Sequence, residues 1–324
     1  MSWYTWKFAS EIMIRHFLRL IDIHPAEVKH LLAEAARLKA DVREGHRPPI
    51  LAGKSLGMIF EKPSLRTRAS FEAGMAQLGG TSIFLGDGAM GKRETVADFA
   101  RTLSGYVDAV VLRTFSHATI EEFARHSSVP VINGLSDLSH PCQALGDLLT
   151  IQEVFGGLEG KTLVFVGDGN NVARSVAVGC GFVGMRFILA APEGYGFDDE
   201  FLARFRRSMP KAELLVNGSP HHAVDKADVI YTDVWTSMGQ EAERQERQRK
   251  FMPFQVNGAL LERAPAHARV MHCLPAVRGE EVSADVIDGD RSIVFQQAEN
   301  RMHAQKALLA WLITNAECKV QNAE

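Results

Sequence analysis

The 324-residue chain lacks the features that mark disulfide-rich, membrane-spanning and nucleic-acid-binding proteins. Its four cysteines lie far apart and form no Cys-x-x-Cys pair, so we expect a reducing, cytoplasmic environment. No apolar run approaches the roughly 20 residues that a membrane-spanning helix needs. The net charge of −3 gives no general attraction to nucleic acid or to an anionic membrane. Any affinity for anions must therefore come from a local cluster of basic groups.

The N-terminal segment, Met1 to Arg15, mixes aromatic with charged residues and lacks the long apolar segment of a secretory signal peptide. We interpret it as an extra N-terminal arm, and Met13 stays open as an alternative start. The chain as a whole is too long for one ordinary compact domain, so we expect two domains.

Apolar runs of strand length alternate with stretches of helical periodicity along most of the chain. The predicted strands are 55–60, 81–85, 108–113, 129–133, 162–166, 186–190, 213–216, 228–232 and 269–272. The main predicted helices are 23–43, 66–78, 94–104, 140–154 and 299–312. This alternation predicts an α/β protein with two domains, each a parallel sheet with helices on both faces. The strongly charged segment 240–249 has no apolar periodicity, and we interpret it as a solvated helix face or a loop.

The stretch from Ser64 to Arg68 falls where the first predicted strand turns into a helix. Free backbone N–H groups and the positive end of the helix dipole point outward at such a place. Ser64 and Thr67 add hydroxyl donors, and Arg66 and Arg68 add guanidinium forks that suit phosphate or carboxylate. The stretch therefore predicts a composite oxyanion site with phosphate as the best ligand. A capped helix start with two surface arginines remains the alternative at this point.

Polar residues follow the other predicted strands at the edge where open parallel sheets bind ligands. These residues are Arg113, His140 and Gln143 in the first half, and Gly167 to Asn171, Asp233 to Gly239 and His272 to Pro275 in the second. The Gly167-Asp168-Gly169 turn lacks the third glycine of a dinucleotide fingerprint, because position 172 is Val172. The two His–Cys combinations lack the partner spacing of a usual zinc site. We therefore expect neither a nicotinamide cofactor nor a metal.

Four motifs taken together resemble the carbamoyltransferases, and specifically the ornithine branch of that family. They are Ser64 to Arg68, His140-Pro141-Cys142-Gln143, Asp233-x-x-x-Ser237-Met238-Gly239 and His272-Cys273-Leu274-Pro275. The resemblance runs from about Phe17 to Leu312. The first two motifs are shared with aspartate carbamoyltransferases, whereas the last two single out ornithine as the acceptor.

The resemblance implies a role for each matching residue. Carbamoyl phosphate would bind to Ser64, Leu65, Arg66, Thr67, Arg113, His140, Gln143, Cys273, Leu274 and Arg301. Ornithine would bind to Asn171, Asp233, Ser237 and Met238. The catalytic residues would be Arg66, Arg113, His140, Cys273 and Arg301.

The resemblance also implies an architecture and an assembly. Residues 1–150, completed by a C-terminal helix at 299–324, would bind carbamoyl phosphate, and residues 151–298 would bind ornithine, with the active site in the cleft between them. The enzyme would need no cofactor or metal, would form a homotrimer or an assembly of trimers, and would serve arginine biosynthesis.

Three positions depart from the pattern of the family. Leu65 stands where many members have threonine, and Val277 replaces a common basic residue or histidine. Ala89 stands where many members have a glutamine or histidine that reaches the neighbouring subunit's site, so the contact at this loop is in question. Two other functions stay open: a transferase for an acylated ornithine or another amine, and a non-catalytic homologue that binds anions.

Overall fold

The computed structural model describes residues 15–86, 90–91, 93–236 and 241–321, and it contains two parallel β-sheets. The first sheet has the strand order β2-β1-β3-β4. Its strands are β1 Ser55–Phe60, β2 Thr81–Leu85, β3 Ala109–Arg113 and β4 Val131–Leu135. The helices of this half are α1 Pro25–Arg43, α2 Leu65–Gln77, α3 Val96–Ser104, α4 His117–His126 and α5 Pro141–Phe155.

The second sheet has the order β7-β6-β5-β8-β9, again with all neighbours parallel. Its strands are β5 Thr162–Val166, β6 Arg186–Ala190, β7 Leu214–Asn217, β8 Val229–Thr232 and β9 Arg269–His272. The helices are α6 Asn171–Val183, α7 Asp199–Ser208, α8 Pro220–Ala223, α9 Arg244–Phe251, α10 Gly258–Arg263, α11 Ala284–Ile287 and α12 Val294–Gln321. Short 3₁₀ turns lie at Leu20–Asp22, Val224–Lys226, Glu241–Glu243 and Met252–Phe254.

Helices cover both faces of each sheet, which confirms the predicted fold class. In the first sheet, Met58 and Phe60 pack into a core with α1, α2 and α12, whereas Ile59 packs with α3 and α4 on the opposite face. In the second sheet, Phe165 packs into the same core as Met58 and Phe60, whereas Val164 packs into a separate apolar cluster on the opposite face. This division follows from the period of two along a strand, which turns successive side chains to opposite faces.

Two helices hold the sheets in a fixed relation. Helix α5 begins at Pro141, is buried on nearly every side up to Ile151, and ends at Gly156 in the left-handed conformation (φ 71°). A helix buried all round lies inside a core rather than on a surface. The last helix, α12, returns to pack against α5, α1 and α2, so one apolar core runs from the first sheet into the second. The cleft between the sheets therefore has a packed floor.

Several element boundaries differ from the predictions. Strand β4 begins at Val131 rather than at 129, because Pro130 has no N–H to donate to the ladder. It extends to Leu135, which pairs with Arg113 across a register shift. Within segment 240–249, the described residues form the 3₁₀ turn Glu241–Glu243 and the first part of α9, and most of their side chains are exposed, as a solvated helix face requires. Arg247 is the exception, because its side chain is buried. Within the described residues, no helix is long and apolar enough to cross a membrane.

Candidate active site in the cleft between the sheets

A cleft of about 850 Å³ opens between the carboxyl ends of the two sheets. It is lined by Ser64, Leu65, Arg66, Thr67, Arg113, His140, Asn171, Asp233, Cys273, Leu274 and Arg301, together with neighbouring residues. Gln143 is fully buried behind this lining. The predicted Ser237 and Met238 lie outside the described residues, as do Ala89 and most of the N-terminal arm.

The hydroxyl of Thr67 is the meeting point of three hydrogen-bond donors. It accepts from Ser64 Oγ at 3.0 Å, from Arg301 Nη2 at 3.0 Å and from Arg113 Nη1 at 3.3 Å. One hydroxyl oxygen has only two lone pairs, so donors exceed acceptors here. The Nε atoms of Arg113 and Arg301 are buried and find no partner among the residues that the structure describes. This surplus of donors suits an anion with several oxygens.

The electrostatics of this half of the cleft are cationic. Burial, together with the charges of Arg301 and Arg66, lowers the pKa of Arg113 to about 10. Burial also lowers the pKa of Arg301. Both groups stay protonated at neutral pH, so like charges are held together out of water. Such an arrangement favours a bound anion, which relieves the repulsion.

Arg68 takes no part in this cluster, contrary to the expectation that it joins the oxyanion site. Its Nε donates to Glu72 Oε1 at 2.9 Å, and its guanidinium lies over the ring of Phe84 at 4.0 Å. The helical period explains the difference, because residues two apart on α2 point in different directions.

His140 is the residue before α5 and is almost fully buried. Its pKa lies well below the ordinary value because burial, and then the charges of Arg301 and Arg113, disfavour the imidazolium. The imidazole is therefore neutral and can donate from one nitrogen only. Its backbone N–H donates to Ser175 Oγ at 2.8 Å, which fixes the entry of α5 against α6.

The opposite half of the cleft centres on the carboxylate of Asp233, at the end of β8. Its Oδ2 accepts from Asn170 Nδ2 at 2.9 Å, and its Oδ1 accepts from Cys273 Sγ at 3.0 Å. The predicted Asn171 donates to the carbonyl of Ser136 at 2.6 Å. This half therefore presents a buried negative charge with a fixed direction.

Asn170 belongs to the strand-end segment Gly167 to Asn171, but the sequence reasoning gave it no role of its own. Its Oδ1 caps α6 by accepting from the N–H groups of Val172 and Ala173, both at 3.0 Å, while its Nδ2 holds Asp233. The sequence contained a signal, since asparagine before an apolar periodic run is a typical helix cap. The contact with Asp233 had no such signal, because the two residues lie 63 positions apart.

Cys273 and Leu274 form a short loop directly after β9. Burial, and then the charge of Asp233, raise the pKa of the Cys273 thiol well above its usual range. The sulfur is thus a protonated donor rather than a nucleophile. Leu274 has a positive φ of 57°, and its N–H donates to His272 Nδ1 at 2.8 Å. On its other side His272 Nε2 meets the buried Glu281 at 3.1 Å, so this pair supports the strained loop.

Asp233, His272 and Cys273 place three potential metal-ligand atoms within 4.8 Å of one another. Both ring nitrogens of His272 already have hydrogen-bond partners, and the thiol of Cys273 is protonated. A metal needs a free imidazole lone pair and a thiolate from such residues. The cluster is therefore built to position the loop, and it does not match a preformed metal site.

Arg247 is a functional residue that the sequence reasoning missed. It forms a buried ion pair with Asp168, and its Nε donates to the carbonyl of Trp235 at 2.5 Å. Its guanidinium also packs against the rings of Tyr195 and Phe251, with centroid distances of 4.9 and 5.2 Å. These contacts anchor α9 to the rim of the cleft.

Two family models cover nearly the whole chain. Residues 15–153 match the aspartate/ornithine carbamoyltransferase carbamoyl-P binding domain, and residues 159–312 match the Asp/Orn binding domain of the same family. The chain belongs to the aspartate/ornithine carbamoyltransferase family.

Members of this family that are named ornithine carbamoyltransferase are close relatives. The protein from Anoxybacillus flavithermus is 51% identical over 303 residues, which cover 92% of this chain and 96% of that one. The Bacillus subtilis protein is 51% identical, with coverages of 94% and 95%. The solved ornithine carbamoyltransferase from Pyrococcus furiosus has a TM-score of 0.89 at 48% identity, covering 91% of this chain and 96% of that chain. The Thermus thermophilus structure has a TM-score of 0.84 at 42% identity, with coverages of 93% and 99%.

Among carbamoyltransferases the aspartate and ornithine branches differ in the acceptor, so the second half of the cleft has to discriminate between them. A buried carboxylate such as Asp233 favours a cationic acceptor and opposes an acidic one. The cationic half, with Arg66, Arg113 and Arg301, suits the phosphate group of carbamoyl phosphate, for which the family has a binding domain. The two halves of this cleft thus match an anionic carbamoyl donor and a basic acceptor.

Proposed function

We propose that this protein transfers the carbamoyl group of carbamoyl phosphate to the δ-amine of L-ornithine, giving L-citrulline and phosphate. The observation that carries the proposal is the pairing of a three-arginine cluster with a buried aspartate across one cleft. Relatives named ornithine carbamoyltransferase, about half identical over more than nine-tenths of the chain, support the same reaction.

Carbamoyl phosphate occupies the first half of the cleft in this proposal. Its phosphate lies against the beginning of α2, where Ser64, Leu65, Arg66 and Thr67 offer backbone N–H groups and side-chain donors. Arg113 reaches between the phosphate and the carbamoyl oxygen. Residues 1–150 and the C-terminal segment 299–324 form this unit in the proposal, and the packing of α12 (Val294–Gln321) against α1 and α2 supports it.

Ornithine occupies the second half, formed by residues 151–298. Asp233 orients the cationic end of the amino acid, and Asn171 contributes its side-chain amide. Ser237 and Met238 complete the set. Both residues follow Asp233 closely in the sequence.

The reaction forms a C–N bond and breaks the bond between the carbamoyl carbon and the phosphate oxygen. The neutral δ-amine attacks, and negative charge develops on the carbonyl oxygen, where Arg113, His140 and Thr67 serve as donors. Because His140 is neutral, it donates a hydrogen bond and does not act as a strong acid. Arg66 and Arg301 stabilise the leaving phosphate, which accepts the proton that the amine loses. Free amines of this kind are mostly protonated at pH 7, so the rate rises with pH.

Cys273 and Leu274 stand between the two ligands. Gln143 acts on the carbamoyl group together with Arg301, to which its side chain is hydrogen-bonded at 2.7 Å. The thiol of Cys273 directs Asp233, and the backbone of Leu274 faces the carbamoyl group.

The proposal includes a cytoplasmic homotrimer, or an assembly of trimers, that serves arginine biosynthesis. Large apolar side chains stand exposed near the carbamoyl phosphate half, among them Leu65 (81% exposed), Phe115 (52%) and Ile83 (44%). Exposure of this kind supports contact with another copy of the chain. Light scattering on the purified protein tests it, and a monomer at micromolar concentration would contradict it.

Citrulline formation from carbamoyl phosphate tests the proposed reaction, with aspartate, putrescine and acylated ornithines supplied in parallel. We expect turnover with ornithine alone. Turnover with an acylated ornithine or putrescine would agree with carbamoyl phosphate as the donor but would contradict ornithine as the acceptor. A folded protein that binds phosphate and uses none of these amines would favour the non-catalytic alternative.

A further inference from the structure

A carboxylate lies completely buried beneath the cleft. Asp147 is on α5, one helical turn after Gln143, and has no exposed surface. Its Oδ1 accepts from Gln143 Nε2 at 2.8 Å and from Gln297 Nε2 at 2.7 Å. Its Oδ2 has no hydrogen-bond partner within the described part of the chain. A buried carboxylate is costly, so its retention needs a reason other than packing.

A chain of hydrogen bonds, the first of two arms, runs from Asp147 to the arginine cluster. Because Gln143 Nε2 donates to Asp147, its Oε1 faces the other way and accepts from Arg301 Nη1 at 2.7 Å. If the Gln143 amide were reversed, its NH₂ group would face the N–H donors of Arg301, and its oxygen would face the carboxylate oxygen of Asp147. Neither pair could form a hydrogen bond. Arg301 then donates to Thr67 through Nη2. The carboxylate thus fixes the guanidinium through one amide.

The second arm reaches the opposite half of the cleft. Gln297 Nε2 also lies 3.0 Å from the hydroxyl of Tyr231 on β8. Gln297 Oε1 accepts from the backbone N–H of His272 at 2.9 Å, directly before the Cys273 loop. One carboxylate therefore joins α5, α12 and the ends of β8 and β9.

We propose that Asp147 is a positioning residue that holds Arg301 in place for carbamoyl phosphate and ties it to the Cys273 loop. This inference rests on the proposed function, since it assigns Arg301 to the donor half. Asp147 touches no substrate and acts only through Gln143 and Gln297.

The titration of Asp147 gives the inference a measurable signature. Burial raises its pKa to about 7, although the hydrogen bonds from Gln143 and Gln297 and the charge of Arg301 oppose the rise. The ionisable groups that face it are Arg301 on α12, Tyr231 on β8, Cys180 on α6 and Cys273 after β9. Burial raises the pKa values of the tyrosine and both cysteines, so these three stay neutral and Arg301 is the cation of the set.

The charge of Asp147 affects activity and stability in opposite directions. As the pH rises through about 7, the carboxylate ionises, and its hold on Gln143 and Arg301 strengthens, so activity rises. Because the pKa is raised from 3.8 to about 7 on folding, the stability that Asp147 contributes is fully present below about pH 4 and is lost as the pH rises from there to about 7. A residue with a purely structural role would not show this opposition.

Asp147→Asn is the decisive variant, because its Oδ1 still accepts from both glutamines while the charge is removed. We expect kcat to fall at least tenfold at pH 8 and the KM for carbamoyl phosphate to rise, with the KM for ornithine changing less than twofold. The rise of kcat near pH 7 should disappear, and the melting temperature at pH 8 should stay equal or increase. An unchanged pH profile, or an activity loss matched by a lower melting temperature, would overturn the inference.

Thr150→Val is the matched control, since Thr150 is equally buried on α5 but lies outside these two arms. It should lower stability and leave the pH profile intact. If Asp147→Asn fails to fold, Gln297→Met serves instead, because loss of one hydrogen bond to the carboxylate raises its pKa. The rise of kcat should then shift to higher pH, and the absence of a shift would contradict the assignment.

Binding of inorganic phosphate, measured by calorimetry, separates this inference from the proposed function. We expect Asp147→Asn to weaken phosphate binding about tenfold at pH 8, whatever amine the enzyme uses. A wild-type protein without turnover on any amine would refute the proposed function alone. Equal phosphate affinity in the two proteins would refute the role of Asp147 alone.

Discussion

The two halves of the cleft are built from opposite charges and by different structural means. In the donor half, Arg66, Arg113 and Arg301 come from three separate elements and line the same part of the cleft, where Arg113 and Arg301 donate to the hydroxyl of Thr67. In the acceptor half, the carboxylate of Asp233 is held by an amide and a thiol. A cluster of cations needs an anion to relieve its repulsion, whereas an oriented carboxylate suits a cation. The contrast matches a cleft that takes a phosphate on one side and a basic amino acid on the other.

Removal of one arginine should damage the donor half most severely. Arg113→Met keeps the apolar volume but removes a donor to the developing oxyanion, so we expect kcat to fall about 10³-fold. The KM for ornithine should change little. Steady-state citrulline formation measures the effect, with thermal melting as the check on folding. Arg66→Ala should likewise abolish turnover in a folded protein. Near-normal activity in either variant would disprove the donor site.

Neutralisation of the carboxylate should damage only the acceptor half. Asp233→Asn removes the charge that orients ornithine, and we expect kcat/KM for ornithine to fall about 100-fold. Phosphate affinity, measured by calorimetry, should stay within threefold of the wild-type value. An equal loss in both measurements would mean that the two halves are not independent.

The ion pair at the rim tests whether α9 supports the acceptor half alone. Arg247→Met leaves Asp168 without its partner, so we expect a lower melting temperature and about a tenfold rise in the KM for ornithine. Arg247→Lys is the matched variant, because it keeps the charge but loses the planar fork that also reaches Trp235. A lysine variant that behaves like wild type would show that charge alone suffices.

The smallest effect should come from the departure at Leu65. Its side chain is 81% exposed, and the position contributes its backbone N–H at the beginning of α2. Leu65→Thr, which restores the common residue of the family, should change kcat/KM less than twofold. A larger gain would show that the side chain takes part in the donor half.

Strands could be predicted well because their signal is local. β1, β2, β5, β6 and β9 begin and end where the apolar runs do. Helix α12 was predicted too short, because its ends carry few apolar residues and it is held by α5, α1 and α2 instead. The burial of Arg247 within the charged segment could not be predicted for a related reason. A buried arginine is stable only beside its partner, and Asp168 lies 79 positions away in the sequence.

The sequence by itself determined the α/β alternation, the strand-end positions of the site residues and the family resemblance, since these depend on residue type and short spacing. Only the tertiary structure decided that Arg68 leaves the phosphate cluster, that Asn170 holds Asp233, and that Gln143 is turned towards Arg301 by Asp147. Each of these contacts depends on the direction of a side chain and on how deeply it is buried. The energy of a polar group follows from which partners surround it out of water, and those partners come together only when the two sheets pack around α5 and α12.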